Sequence, residues 1–260
     1  MVYDYEYFKK QVLALTKIDL NCYKEKQMKR RIDTLINRHE IVGYDAFVER
    51  IKKDPAMMEE FVNYLTINVS EFYRNPDQWV ILDKQILPEL ISRFGNSLTV
   101  WSAACSTGDE PYSLVMALSR HVPLSRIRII ATDIDKQVLA TAKNGVYSEK
   151  SVANVPADLK QKFFTRVGTL YRISDDVKRC VDFREHNLLR DDYPKNVDLI
   201  VCRNVLIYFT EEAKDGIFKK FYNALSPGGV LFLGNTEQMM GYKDVGYERK
   251  TSFYFEKPVM

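Results

Sequence analysis

The stretch that decides the fold is "VWSAACSTGDEPYSL", Val100–Leu114. Val100 and Trp101 read as part of a buried strand. Small residues follow, and "DEPYSL" opens an amphipathic helix. Strand, tight loop, helix is the layout of a nucleotide-binding loop. Yet the loop has one glycine, Gly108, and two acids, Asp109 and Glu110, come at once after it. Carboxylates suit the positive end of a helix but repel a phosphate placed there. The loop therefore favours a close-fitting ligand that is cationic and carries no phosphate, over a dinucleotide.

Outward from this loop, apolar β-branched runs alternate with helical periodicity. "LTVWSAA", "RIRIIATDID", "VDFREHNLL", "VDLIVCRNVLIYF" and "VLFLGN" read as strands; "EPYSLVMALSRHV", "KQVLATAKNGV" and "KDGIFKKFYNALSPGG" read as helices. This predicts an α/β fold, a doubly wound and mostly parallel sheet. "SFYFEK" alternates and is expected as an antiparallel edge strand. Residues 147–180 break the rhythm and are expected as a small inserted β-containing subdomain. In it, "KSVANVPADLKQKFF" reads as two short helices and "LYRISDDVKRCVDF" as a hairpin turning at Asp175-Asp176. Toward the N-terminus, residues 1–74 read as an all-helical domain. Residues 75–97 read as a linker helix, interrupted at Pro88 and stopped at Gly95. The main domain then runs over 98–260.

In an open α/β sheet ligands lie beyond the carboxyl ends of the strands. The residues there are the loop Ala103–Glu110, Asp133 and Asp135, His186-Asn187 and Arg203-Asn204. Residues 104–108, "ACSTG", align with a G-x-G-x-G loop in which Ala104 and Ser106 replace two glycines and Gly108 remains. Asp133 ends the next strand, 25 residues after Gly108, where a carboxylate accepts from ribose hydroxyls. S-adenosylmethionine is a cation with a ribose and no phosphate, and it suits this combination. Each piece alone has a plainer reading: a tight turn for the loop, helix capping for Asp135, an ordinary turn for "SPGG".

Taken in order, "NVSEFYR", "WSAACSTGDEPYSL", "ATDID", "HNLL", "CRNVLIYF" and "LSPGGVLFLGNTE" resemble the CheR-type chemotaxis receptor methyltransferases over essentially the whole chain. The resemblance implies the class I methyltransferase fold with a helical N-terminal domain. It implies methyl transfer from S-adenosyl-L-methionine to glutamate carboxylates on the cytoplasmic helical domain of chemoreceptors, with S-adenosyl-L-homocysteine as product. It implies a cofactor pocket at Asn68, Ser70, Arg74, Glu110, Asp133, Asn187, Leu188, Arg203 and Asn204, beside Ala104 and Gly108 of the loop. Arg74 and Tyr208 would flank the sulfur and the incoming carboxylate as the catalytic pair. The inserted segment stands where some members grip a receptor C-terminal peptide. Here its connection is short and has no glycine-rich extension, which argues against that role. A methyltransferase for another substrate and a non-catalytic S-adenosylmethionine sensor are the rival readings.

The chemistry suits what the sequence offers. A glutamate side chain with a pKa of about 4.3 is already ionised at neutral pH, so no general base is needed. The chain has only three His, and no Ser/His/Asp set stands out. What transfer needs is in-line positioning, and a guanidinium fork holds a carboxylate in fixed geometry.

A basic helix supplies the expected substrate surface. Lys24, Lys26, Lys29, Arg30, Arg31 and Arg38 stand against only Glu25 and Asp33, while Met28, Ile32, Leu35 and Ile36 form an apolar stripe. Such a face is often no more than solvated surface; here it would also steer an acidic receptor helix. Nucleic acid is not expected as a partner, because the helix has no interleaved aromatics and net charge is only +3. No apolar run reaches the ~18–20 residues of a membrane span, and the N-terminus lacks a secretory h-region. The four Cys stand far apart with no C-x-x-C, so no metal is expected. A cytoplasmic monomer is expected.

Overall fold

The computed structural model describes residues 4–259. Its contacts divide the chain into two compact units, one of residues up to Asn68 with Tyr208–Asp215, the other of Val69–Ile207 with Gly216 onward.

The first unit is built on four helices, α1 (Tyr5–Thr16), α2 (Glu25–Arg38), α3 (Tyr44–Lys53) and α4 (Pro55–Thr66). Local signals set their ends. Asp4 caps α1 by accepting from the Tyr7 amide, and Asp54 caps α4, with Pro55 at its first position. α1 stops at Thr16 rather than running on to Leu20, because Lys17 turns left-handed and Asp19 caps a separate 3₁₀ turn, Leu20–Cys22. Phe8, Phe47 and Phe61 form the aromatic centre, with the Phe47–Phe61 rings 5.3 Å apart and edge-on. The apolar stripe of α2, Met28, Ile32, Leu35 and Ile36, is buried as its spacing requires. Tyr208–Thr210 are tied to this unit by backbone bonds from Lys24 to the Tyr208 carbonyl and from Thr210 to the Cys22 carbonyl.

In the second unit, α5 (Pro76–Ile81) runs through a π-helical turn (Leu82–Ile86) directly into α6 (Leu87–Phe94). The helix is therefore not interrupted at Pro88. The wider turn before it absorbs the missing N–H and the clash of the ring with the preceding carbonyl. Nor is this segment a tether: Trp79, Leu82, Ile86, Leu87 and Leu90 belong to the unit's core. The chain then alternates as β1 (Thr99–Ala103), α7 (Asp109–Leu118), β2 (Arg128–Asp133), α8 (Lys136–Asn144), β3 (Val146–Ser148), α9 (Ala157–Phe163), β4 (Phe164–Val167), β5 (Leu170–Ile173), α10 (Asp175–Lys178), β6 (Val181–Glu185) and β7 (Val197–Cys202). It closes with the part of α11 (Glu211–Ala224) from Gly216 onward, β8 (Leu225–Leu233), α12 (Tyr242–Val245), β9 (Glu248–Arg249) and β10 (Tyr254–Glu256).

Seven strands form one sheet in the order β6-β2-β1-β7-β8-β10-β9, parallel except at β10 and β9. The order reverses between β1 and β7, which makes the carboxyl ends of those strands the natural ligand crevice. "SFYFEK" gives β10, which is antiparallel as expected but not at the edge, since the two-residue β9 lies outside it. "SPGG" is no free turn. It lies within β8, where Gly228 at φ 81° makes a bulge and a Cβ on Gly229 would come 2.9 Å from the Val197 carbonyl.

The insertion forms a three-stranded antiparallel sheet, β3-β5-β4. Its hairpin turns at Gly168, φ 63°, with Val167 opposite Leu170, and not at Asp175-Asp176. Those acids begin α10, where Ser174 caps the helix and carboxylates suit its first turn. Of the two short helices expected before the hairpin only α9 forms; residues 149–155 make turns. Tyr147, Val152, Leu159, Phe163 and Ile173 share one apolar core with the main sheet, so the insertion has no core of its own. Among the described residues no helix is long and apolar enough to cross a membrane.

Candidate active site

The loop after β1 is the tightest part of the crevice. Ala104, Ser106 and Gly108 all adopt left-handed backbone, at φ 59°, 48° and 89°. These are the three positions that glycine holds in a G-x-G-x-G loop, and two of them here carry a Cβ against the grain of the backbone. Asp133 holds the loop in this shape. Its carboxylate accepts from the Ser106 amide at 2.8 Å and from the Asp135 amide at 3.0 Å. Gly108 has no room for a side chain: a Cβ there would lie 2.8 Å from Cβ of Ala142.

Both acids after the loop are largely buried rather than solvated. Asp109 accepts from Thr107 at 2.5 Å, and also from the hydroxyls of Ser151 and Ser70. It thereby joins the loop, the inserted segment and the stretch before α5. Glu110 accepts from the Ser102 hydroxyl at 2.8 Å and lies 3.7 Å from the Arg203 guanidinium. Burial pushes the Glu110 carboxyl up to about 7, although Arg203 and Ser102 pull it down. Burial likewise pushes Asp133 up to about 6, against the amides that bond it. In both cases withdrawal from water outweighs the favourable partners.

Arg203, at the end of β7, is buried with its side chain 2% exposed. One of its nitrogens donates to the Arg74 carbonyl at 2.7 Å and to Gln78 Oε1 at 2.6 Å. Its plane faces Phe232, 4.8 Å away, and Trp79. Arg74 reaches back to the Val69 carbonyl at 3.0 Å, so the segment Val69–Asn75 is a folded loop rather than a frayed helix end. Asn187 caps its own turn by accepting from Leu189, and Leu188 is buried beside it.

The residues singled out from sequence thus fall into two groups. Ser70, Arg74, Ala104, Gly108, Glu110, Asp133, Asn187, Leu188, Arg203 and Asn204 belong to the second unit; Asn68, Tyr208 and the basic residues of α2 belong to the first. Within the first unit, Tyr208 lines a cavity of about 420 Å³ together with Lys24, Met28, Arg30, Arg31 and Tyr64. Not every basic residue of α2 is available. Lys29 pairs with Asp33, Arg38 approaches Glu60, and Arg31 donates to the Tyr64 carbonyl. Lys24, Lys26 and Arg30 are exposed and have no ion pair among the described residues.

Three residues that carry this region were passed over in the sequence. Gln78 bonds both Arg203 and Tyr254. Asp109 was read only as a favourable charge on a helix end. Glu237 closes "LGNTE", a motif quoted for its order and not for its acid. A lone acid among small residues after a buried strand is the signal that could have found it.

A mostly parallel seven-stranded sheet, a left-handed small-residue loop after its first strand and an acid ending the second define a class I S-adenosylmethionine-dependent methyltransferase. The comparisons carry this to a family. Residues 68–255 match the CheR methyltransferase SAM binding domain, and residues 3–66 match the CheR methyltransferase all-alpha domain. The chemotaxis protein methyltransferase of Listeria innocua is 41% identical over 254 residues, 98% of this chain and 97% of its own. Chemotaxis protein methyltransferase 2 of Vibrio cholerae is 34% identical over 242 residues, covering 88% of this chain and 83% of its own. The chain belongs to the CheR methyltransferase family, and S-adenosyl-L-methionine is its cofactor. The residues present fit that group. Glu110 is a buried carboxyl pushed up by desolvation, which a cationic ligand group would relieve, and Asp133 is a buried acceptor suited to a ribose hydroxyl. Ser106 Oγ, Gln78 Nε2 and Arg203 Nε are buried polar atoms without a partner among the described residues.

Proposed function

We propose that the enzyme methylates glutamate side chains on the cytoplasmic helical domain of chemoreceptors, yielding the γ-methyl ester and S-adenosyl-L-homocysteine, and that it serves adaptation in chemotaxis from the cytoplasm. The observation that carries this reading is the cavity of the first unit. Its wall holds Lys24, Arg30, Arg31 and Tyr208 and no carboxylate, which suits an acidic helix and repels a basic one. The relatives' name, chemotaxis protein methyltransferase, supports the place in chemotaxis.

Bound S-adenosylmethionine supplies an electrophilic methyl group on a sulfonium. For the chain's own part, Glu110 would take the cofactor's ammonium, Asp133 its ribose, and Asn187-Leu188 its base. Asn68, Ser70, Arg203 and Asn204 would complete the pocket wall. Arg74 and Tyr208 would orient the incoming carboxylate. That carboxylate arrives ionised and needs no base, so these residues act by alignment, an effect that reaches roughly 7–11 kcal/mol in favourable systems. Arg74 suits this role because among the described residues its guanidinium is bonded to one carbonyl, leaving donors for a carboxylate fork.

The test is incubation with methyl-labelled S-adenosylmethionine and a receptor cytoplasmic fragment, followed by mild alkali. Label released as methanol supports a carboxyl ester. Label that survives alkali, or stays off the fragment, rejects the substrate.

A further inference from the structure

Glu237 lies beyond the end of β8, is 6% exposed, and meets four backbone N–H groups at once. Oε2 accepts from Gly234 at 2.7 Å and from Asn204 at 2.8 Å; Oε1 accepts from Val205 at 2.8 Å and from Leu206 at 2.7 Å. An ionised carboxylate has about four acceptor sites, and the main chain fills that number here. Three of the donors are consecutive residues leaving β7. The fit admits no spare volume: a Cβ on Gly234 would stand 2.7 Å from Oε2 and 2.9 Å from the Asn204 nitrogen.

The path held by this carboxylate is not one the chain takes unaided. Asn204 is left-handed, at φ 62°, directly after the buried Arg203. Asn is one of the few residues besides glycine that visits this region, and here it does so with its amide bonded to Glu237. It also turns successive N–H groups toward one point, and these would be buried donors lacking acceptors if the anion were removed.

We propose that Glu237 is a positioning residue of the methyl-transfer site: its anion gathers the amides of Asn204, Val205 and Leu206 and so sets where Arg203 and Asn204 stand. This rests on the reading of Arg203-Asn204 as part of the cofactor pocket. A neutral amide cannot replace the acid, because one end of Gln would turn N–H donors against N–H donors. Aspartate keeps the charge but draws it back by one methylene.

The experiment compares Glu237→Gln, Glu237→Asp and Asn204→Ala by calorimetric titration with S-adenosylhomocysteine, by the KM for S-adenosylmethionine, and by unfolding midpoint. Glu237→Gln is expected to weaken both constants by about tenfold or more, with Glu237→Asp recovering part of the loss. If Glu237→Gln lowers the midpoint and leaves both constants unchanged, while Asn204→Ala weakens binding, the clamp has no bearing on the cofactor and the inference fails. If Asn204→Ala binds normally, it is the pocket assignment that fails. Should Glu237→Gln not fold, amide exchange in the unaltered protein decides. Slow exchange at residues 204–206 without ligand supports the clamp, and rapid exchange there overturns it.

Discussion

The Arg203 guanidinium stands 3.7 Å from the Glu110 carboxylate and donates to the main-chain carbonyl of Arg74 at 2.7 Å. A single buried cation thus balances one acid of the candidate pocket and fixes the backbone of the arginine expected to orient the substrate. Arg203→Ala takes the donor from Gln78 Oε1, removes the cation beside Glu110 and leaves the Arg74 carbonyl to the Trp79 indole. The expected cost is about 3–5 kcal/mol of unfolding free energy in urea. Arg203→Met combined with Glu110→Gln is expected to regain part of it. A loss below about 1 kcal/mol for Arg203→Ala would mean the pair contributes little.

Protonation links this pair to pH. Burial pushes folded Glu110 up to about 7 and Asp133 up to about 6, above the ordinary carboxylate range. A raised folded pKa means the folded state holds the proton more tightly. The contribution is therefore complete below pH ~4 and is lost as pH rises through 6 and 7. The cofactor-free enzyme should lose stability between about pH 4 and 7, each pKa unit being about 1.4 kcal/mol. Affinity for S-adenosylhomocysteine should move the opposite way, since its ammonium calls for ionised Glu110. Glu110→Gln should flatten the stability profile; an unaltered slope in chemical denaturation would show that other groups cause it.

The loop offers a graded test of backbone strain. Ala104→Gly and Ser106→Gly remove a Cβ from left-handed positions. They are expected to be neutral or to stabilise by up to about 1 kcal/mol, the gain being offset by the entropy of the unfolded chain. Gly108→Ala adds a Cβ in contact with Ala142 and is expected to cost about 2 kcal/mol or more. Denaturant midpoints for the three variants should fall in that order. Equal effects would contradict it.

Substrate steering should depend on the basic residues that lack internal partners. Lys24→Glu and Arg30→Glu are expected to raise the KM for a receptor fragment by about tenfold at low salt, and less at high salt. Lys29→Ala and Arg38→Ala should act weakly, since those side chains are engaged by Asp33 and Glu60. S-adenosylhomocysteine affinity should stay constant throughout. A uniform effect across all four would indicate general charge rather than a surface.

Arg74→Ala should reduce kcat by about 10–100-fold while changing S-adenosylhomocysteine affinity by less than about threefold. Parallel losses in stopped-flow and calorimetric measurements would reassign Arg74 to cofactor binding.

Much of this was legible because strand and helix periodicity is strong where both faces of a sheet are covered. β2 and β7 follow from Val/Ile runs and β1 from the apolar pair Val100-Trp101, and the G-x-G-x-G register of Ala104, Ser106 and Gly108 follows from spacing alone. The elements that differ from expectation lie where one local signal admits two structures and a neighbouring residue or a tertiary contact decides. Asp175-Asp176 satisfies either a turn or a helix start, and Ser174 decided for the helix. "SPGG" satisfies a turn, but the close approach of Gly229 to Val197 made it a bulge within β8. Pro88 signals a break, and a π turn absorbed it. The acids were least legible. Sequence spacing says that Asp109, Glu110 and Glu237 exist, not that each is sealed from water by donors distant in the chain.

Trp79 gives the enzyme a spectroscopic property of its own. Its indole N–H donates to the Arg74 carbonyl at 3.0 Å and its ring lies 5.7 Å from the Arg203 guanidinium. The only other tryptophan, Trp101, is sealed in β1 with its indole on Thr132. Tryptophan emission therefore comes from two buried fluorophores, one of them in contact with both arginines. A shift in either arginine registers as a change in colour or intensity without any label being attached.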